Sequence, residues 1–350
     1  MYYNRNLITA SEQAVTRTDA SGVFDLQTQA VSQSEKDWPG SETASIIYDI
    51  QIGQDNLTIE IPSAGSVNYT IDWGDGTVEA STSNLPSHTY SSTGSYKIKI
   101  FSAGVYRPHV NGNSTLVHVV RSVEITEKAN LGTTLEDSFY DLETLHTFKC
   151  AFSATSSVTN FKDMFYGCRL LSQVDLFDTS SGTNFTNLFR ENRAGFFPAL
   201  NTSSTTGIGG MYRDTLVVTE LPTIDTSNVT SFSATWRGCD IITFPSFYDF
   251  SSATSFSEGW RSAGIINFPA NMFDNTGTLS SNAFSNAFNG SILTAQSIEN
   301  ILTSLDTNGA TGVDLHIGSG SNAGYSTWSQ AAKDALTSLQ GKSWTVTYNS

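Results

Sequence analysis

Apolar residues recur along this chain at three periods, and each predicts a different element. Between residues 56 and 101 the period is two. "NLTIEI" puts Leu57, Ile59 and Ile61 on one face, and "NYTIDW" and "SYKIKIF" alternate in the same way. Such alternation predicts half-buried strands. "GDGT" and "SSTG" between them carry hairpin-turn chemistry. Short strands punctuated in this way predict a β-sandwich.

From about residue 106 to 290 the period is near 24. The pairs Phe139-Tyr140, Met164-Phe165, Leu188-Phe189, Met211-Tyr212, Thr235-Trp236, Gly259-Trp260 and Ala287-Phe288 mark it. Their second members are Tyr140, Phe165, Phe189, Tyr212, Trp236, Trp260 and Phe288, spaced by 25, 24, 23, 24, 24 and 28 residues. A fixed period of this size predicts a solenoid. Each unit is too small to bury its own apolar side, so neighbours must stack. The seven aromatics are expected to form one interior row. Prolines 198, 222, 245 and 269 follow these aromatics by nine or ten residues. Proline cannot donate to a ladder, so each marks a repeated corner or strand edge.

The third period is helical. "LTAQSIENILTSLDTNG" has apolar residues at 293, 298, 301, 302 and 305 and stops at Gly309. "STWSQAAKDALTSLQGK" repeats this, with Ser326 or Thr327 as candidate N-cap and Gly341 as C-cap. "GVDLHIG" and "SWTVTY" alternate as strands. Residues 291–350 thus read as an α/β cap over the open end of the solenoid. Residues 1–42 show no period. Val23, Phe24, Leu26 and Trp38 are too few to make a core, and Pro39-Gly40 breaks the chain after them. This section is expected to be an arm that docks elsewhere.

Two stretches resemble known families. Trp73-Gly74-Asp75-Gly76, His88-Thr89-Tyr90 and Gly94-Ser95-Tyr96 follow the order and spacing of polycystic-kidney-disease-type (PKD) domains, over roughly residues 43–105. That resemblance implies an immunoglobulin-like sandwich, in which Trp73, Gly74, Asp75, Gly76, His88, Tyr90 and Tyr96 are structural motif residues. Such domains are usually spacers or weak binders of carbohydrate or protein. The figure in "SSVTNFKDMFYGCRLLSQVDLFDTS" (156–180) and "DTSNVTSFSATWRGCDIITFPSFYDFS" (225–251) resembles BspA-like leucine-rich repeats and the related mycoplasma lipoprotein repeat. The unit at 181–201 departs from it, with Glu191-Asn192 in place of Gly-Cys. "SGVFDLQTQAVSQSEKDWPG" is similar to a segment near the front of marine phage structural proteins. The final sixty residues are similar to the closing segment of leucine-rich-repeat proteins in phage genomes.

Composition narrows the function. Hydrophobic residues are 38% and the formal net charge is -15. The low apolar share suits a structure with much surface per residue, and the charge repels phosphates, which argues against nucleic-acid binding. Cys168 and Cys239 each lie three residues after a repeat aromatic, three repeats apart. That is roughly 14 Å at strand spacing, too far for a disulfide. They are expected as buried free thiols, and with no CxxC pair a zinc site is not expected. "MYYNRNLITASEQAV" lacks a signal-peptide pattern, and no apolar run is long enough to span a membrane.

Catalytic constellations were sought by their spacing. His88, His109, His118, His146 and His316 form no HExxH or HxH pattern, and neither GxSxG nor GxxxxGKS/T occurs. Asp72 and Asp75 are read as turn carboxylates satisfying local N–H groups, not as calcium ligands. Carboxylate pairs such as Asp137/Asp141 and Asp175/Asp178 read as solvated repeat loops. Serine, threonine and asparagine rows on the repeat edges read as turn residues, with sugar binding as the alternative. No enzyme activity, cofactor or metal is expected. The expected function is a structural protein on the exterior of a bacteriophage particle, on tail, fibre or head. It would bind other virion proteins through residues 1–42, form homo-oligomers there, and meet bacterial surface glycan or protein. A bacterial cell-surface adhesin is the alternative. A glycan-active enzyme with an accessory sandwich is a third reading without a supporting motif.

Overall fold

The computed structural model describes residues 43–64, 68–110, 114–193, 197–215, 221–241 and 243–350. The expected docking arm, with Val23, Phe24, Leu26 and Trp38, lies outside the described residues. The described chain is mainly β, with two α-helices late in the sequence. Its strands are β1 (Ile46–Ile52), β2 (Leu57–Glu60), β3 (Ser63–Ala64), β4 (Tyr69–Asp72), β5 (Val78–Ser81), β6 (Ser87–Tyr90), β7 (Gly94–Ser102), β8 (Arg107–Pro108), β9 (Val120–Ile125), β10 (Thr147–Cys150) and β11 (Gln173–Val174).

One seven-stranded sheet has the order β11-β10-β9-β1-β7-β4-β5, while β2 pairs with β6 and β3 with β8. Strand β1 lies at its centre because Ile46, Tyr48, Ile50 and Ile52 alternate into the core. It runs antiparallel to both β7 and β9. From β9 onward the pairing is parallel, to β10 and then β11. Parallel neighbours need a long crossover, and each 24-residue coil supplies one. The sheet therefore runs through the expected boundary at 105/106. Ile46 faces Ile125, and Tyr48 faces Val123.

From residue 135 onward the coils stack through a repeated backbone figure. The N–H groups of Asp137, Phe139 and Asp141 donate to the carbonyls of Lys162, Met164 and Tyr166 in the next coil. Those of Ser138, Tyr140 and Leu142 donate three residues back, to Leu135, Asp137 and Phe139. Around Trp236 the figure recurs: Ala234, Trp236 and Gly238 donate to Ser257, Gly259 and Arg261. These backbone donors are satisfied without a regular helix or strand. The figure requires two left-handed residues four apart. The pairs are Asp137/Asp141, Asp163/Gly167, Asn187/Glu191, Gly210/Asp214, Ala234/Gly238, Glu258/Ser262 and Asn286/Gly290, with φ between 53 and 77°. Asp, Asn and Gly tolerate this conformation best, and they fill ten of these fourteen positions. At Gly167 a Cβ would lie 1.8 Å from Asp141 Oδ1 of the preceding coil, so the bare Cα makes room for that carboxylate.

The residue midway between each left-handed pair faces inward. Phe165, Phe189, Tyr212, Trp236, Trp260 and Phe288 are fully buried there. Phe165 and Phe189 stack at 5.6 Å and 3°, and Trp260 and Phe288 at 4.8 Å and 2°. Tyr140 does not belong to this row, and the expectation is corrected. The first rung is Phe139, fully buried and 5.7 Å from Phe165. Asp137 and Asp141 fix the midpoint at 139, and Tyr140 turns outward. A second interior row lies four residues earlier: Leu135, Phe161, Phe185, Ile208, Phe232, Phe256 and Phe284.

Three residues after five of the seven inward aromatics, a side chain reaches back to the carbonyl of the aromatic one coil before; Leu142 and Ala263 stand at the other two positions. Cys168 donates to Phe139 O at 3.1 Å, Asn192 to Phe165 O at 3.4 Å and Thr215 to Phe189 O at 3.2 Å. Cys239 donates to Tyr212 O at 2.6 Å and Ser291 to Trp260 O at 2.7 Å. Asn192 therefore preserves the bond that cysteine makes elsewhere. Thr215→Val keeps the shape and deletes the donor. It is expected to cost about 1–3 kcal/mol in a denaturant melt, with Thr215→Ser close to wild type. Equal stability of the valine and serine variants would show that this bond contributes nothing.

Residues 291–350 close the stack. Helix α1 (Ala295–Asn308) has Thr294 as N-cap and left-handed Gly309 as C-cap, and α2 (Gln330–Gly341) packs beside it. The N-cap of α2 is Ser329, not Ser326 or Thr327, and the cap beyond Gly341 is Lys342. Residues Tyr325–Thr327 form a separate 3-10 turn, which places Trp328 inside with its Nε1 on Ala323 O at 2.9 Å. Strands β12 (Asp314–His316) and β13 (Thr345–Thr347) run parallel. His316 ends the ladder: its carbonyl accepts from Phe288 N–H at 3.1 Å, and its Nδ1 accepts from Asn286 N–H at 3.0 Å.

Candidate interaction face

Two polar constructions stand out, one in the N-terminal strands and one along the coils. The first is built from the WGDG, HxY and GxY residues. Trp73 is fully buried, and its indole donates to Glu79 at 3.1 Å. Asp72 accepts from Gly74 N–H at 2.9 Å, and Asp75 from Thr77 N–H at 3.0 Å. The other Asp75 oxygen meets His88 Nε2 at 2.7 Å, and the His88 ring stacks on Trp73 at 5.0 Å. Tyr90 donates to the Trp73 carbonyl at 2.7 Å, and Tyr96 packs 4.3 Å from Tyr90. Burial pushes the Asp75 carboxyl up, but its bonds with His88 and Thr77 outweigh this and hold it below its usual value. The motif residues thus tie a turn to two strands. Both aspartates are engaged by backbone N–H groups, and no cluster of three or more His, Cys, Asp or Glu suited to a metal occurs among the described residues.

Gly74 is the tightest point of this knot. Its φ is +82°, and a Cβ there would lie 2.5 Å from Lys97 O. The left-handed conformation costs a non-glycine residue roughly 1–2 kcal/mol. The overlap with strand backbone adds about 1–3 kcal/mol. Gly74→Ala is therefore expected to lower stability by about 2–5 kcal/mol. A melt within error of wild type would mean that β7 shifts freely away from the turn.

The second construction lies on the outside of the coils. The residue after each inward aromatic from Phe139 to Trp260 faces outward, giving a half-buried column of Tyr140, Tyr166, Arg190, Arg213, Arg237 and Arg261. Tyr140 and Tyr166 stack at 4.5 Å and 1°, and the Arg190 guanidinium lies 4.9 Å over Tyr166. Carboxylates line the column. Glu191 accepts from Tyr166 OH at 2.7 Å and pairs with Arg190 at 3.2 Å and Arg169 at 3.5 Å. Arg169 also pairs with Glu143 at 3.4 Å, and Arg213 with Asp214 at 3.1 Å. Arg237 and Arg261 share Glu258. Burial pushes the Glu258 carboxyl up, but the two arginines outweigh it and hold it below its usual value. The pairs of Arg169 with Glu191 and of Arg237 with Glu258 tie neighbouring coils along the column.

Six of the chain's ten arginines, Arg169, Arg190, Arg193, Arg213, Arg237 and Arg261, lie on this face of a chain whose net charge is -15. On this face the six arginines stand beside the carboxylates Glu143, Glu191, Asp214 and Glu258, whereas the rest of the chain is acidic. A recess of about 270 Å3 opens in it, lined by Arg169, Glu191, Arg193 and Asp214. A cleft of about 670 Å3 beside the start of β1 is different in kind. Its described lining includes Tyr69, Phe101 and Lys128 and no carboxylate. The sequence signal for the column is an arginine directly after the inward aromatic in Phe189-Arg190, Tyr212-Arg213, Trp236-Arg237 and Trp260-Arg261. The aromatics alone define the period, so the arginines add no periodic signal of their own.

Residues 133–243 match a family model described as Mycoplasma protein of unknown function, DUF285. The match covers 111 of the 350 residues, about a third of the chain, and includes the arginine column from Arg190 to Arg237. No curated protein and no solved structure matches the chain. No helix among the described residues is long and apolar enough to cross a membrane.

Proposed function

We propose that this chain is a non-catalytic structural protein on the exterior of a bacteriophage particle, on its tail, fibre or head surface. Residues 1–42 attach it to other virion proteins. An immunoglobulin-like sandwich of PKD type and a BspA-like leucine-rich-repeat solenoid with an α/β cap are displayed outward, toward host-surface glycan or protein. The continuous sheet carries this reading. Strand β9 is bonded to β1 on one side and to β10 on the other, so the sandwich strands and the coils form one stiff unit. A stiff unit holds a binding face at a fixed distance from its attachment point, which suits display. Its three described cysteines are free, and Cys168 and Cys239 are buried, as suits a protein that folds in a reducing compartment.

A bacterial cell-surface adhesin is the second reading; the family matched over residues 133–243 is described from Mycoplasma and its function is unknown. The two separate by location. Particles purified on a density gradient are analysed by mass spectrometry and labelled with antibody to residues 43–350. Co-purification with exterior labelling is expected. Labelling of intact uninfected bacteria, with no chain in the particle fraction, would overturn the virion reading in favour of the adhesin.

A further inference from the structure

We propose that the recess between Arg169, Glu191, Arg193 and Asp214 is a subsite for one anionic sugar unit, a single ring carrying a carboxylate or phosphate. The proposal rests on the display reading and gives its outward face a ligand class. Size comes first. Pockets for drug-sized molecules run roughly 300–1,000 Å3, and this recess of about 270 Å3 suits something smaller, on the scale of one ring.

Chemistry comes second. The two carboxylates are already oriented. Tyr166 and Arg190 hold Glu191 Oε1, while Oε2 is engaged only at 3.5 Å, by Arg169. Arg213 Nε holds Asp214 Oδ2, and Asp214 Oδ1 rests over the bare Cα of Gly238. Charge-assisted N–H···O bonds are about 2.7–2.9 Å long, so Arg169, at 3.4 and 3.5 Å from its two acids, retains donor capacity. Ring hydroxyls both donate and accept, which matches carboxylates beside guanidinium donors.

Charge comes third. Arg193 is exposed and forms no ion pair among the described residues. It is the recess residue whose charge is uncommitted, and its planar fork fits a carboxylate or phosphate alike. Side chains oriented before binding lose little freedom on binding.

The test is saturation-transfer NMR on the full chain with galacturonic acid, glucose 6-phosphate and glucose. At least one charged sugar is expected to bind about ten-fold or more tightly than glucose, and the stronger of the two identifies the anion. Arg193→Ala removes an exposed, unpaired group and is expected to lower that affinity about ten-fold with an unchanged melt. Glu191→Gln is expected to weaken both charged sugars and glucose, since it acts on the hydroxyls. The proposal is overturned if none of the sugars binds, if glucose binds as well as both acids, or if Arg193→Ala leaves binding unchanged. Those results leave the display reading standing, because antibody labelling of particles reads it independently.

Discussion

Trp236→Ala is expected to lower the stability of the chain by about 3–5 kcal/mol, the range for deleting a buried large aromatic. Trp236 is fully buried midway along the coils. Its ring stacks on Trp260 at 5.3 Å and on Phe232 at 5.6 Å, and meets Phe244 edge-on at 4.9 Å. Deleting it opens a cavity between rows that belong to neighbouring coils. Those coils are tied by backbone bonds from Trp236 N–H to Gly259 O and from Tyr212 N–H to Thr235 O, so the site cannot collapse freely. Trp236→Phe separates the packing from the indole nitrogen. That nitrogen is buried near Tyr248 without a well-formed hydrogen bond, so phenylalanine is expected to cost clearly less than alanine. A denaturant melt of the three proteins measures both differences. An alanine variant as stable as wild type would mean that the row is not a packed interior.

Much of this architecture was legible because the coils repeat a demand for one large inward residue. Phe165, Phe189, Tyr212, Trp236, Trp260 and Phe288 answer it in order, and the 23–28 residue spacing follows. The misassigned rung at Tyr140 has a local cause. Phe139 and Tyr140 are both aromatic, and only the left-handed conformations of Asp137 and Asp141 decide which turns in. The reach-back bonds were hidden by chemical variety. Cysteine, asparagine, threonine and serine all donate to the same carbonyl position, so no single residue type marks it. The start of α2 was misplaced because Ser326, Thr327 and Ser329 are equivalent as caps in sequence. The inward turn of Trp328 selects Ser329.

Pairing between distant strands leaves no periodic trace. Strand β1 alternates as cleanly as its neighbours, yet nothing in "IIYDIQI" says that it bonds β9 some seventy residues later. That pairing joins the N-terminal strands to the coils. The WGDG motif was more informative, because Asp72 and Asp75 serve local N–H groups within two residues, a distance that sequence reads well.

Deleting residues 1–42 is expected to leave a soluble, folded fragment that no longer joins the particle. The buried core from Ile46 to Trp344 forms one contiguous cluster, so the fragment keeps its own burial. Residues 1–42 offer Val23, Phe24, Leu26 and Trp38 as apolar side chains, while ordering a backbone costs roughly 1–2 kcal/mol per residue. On the proposed reading a virion protein or a second copy supplies the missing burial, and attachment resides in these residues. The direct measurement compares full-length and 43–350 chains, each expressed during infection with particles that lack the native copy. Quantitative mass spectrometry then counts copies per purified particle. The expected result is normal incorporation of the full chain and near-complete loss for a fragment whose melt matches the full chain. Incorporation of the folded fragment at the full-length level would contradict attachment through the arm and move the docking surface to the N-terminal strands or the coils.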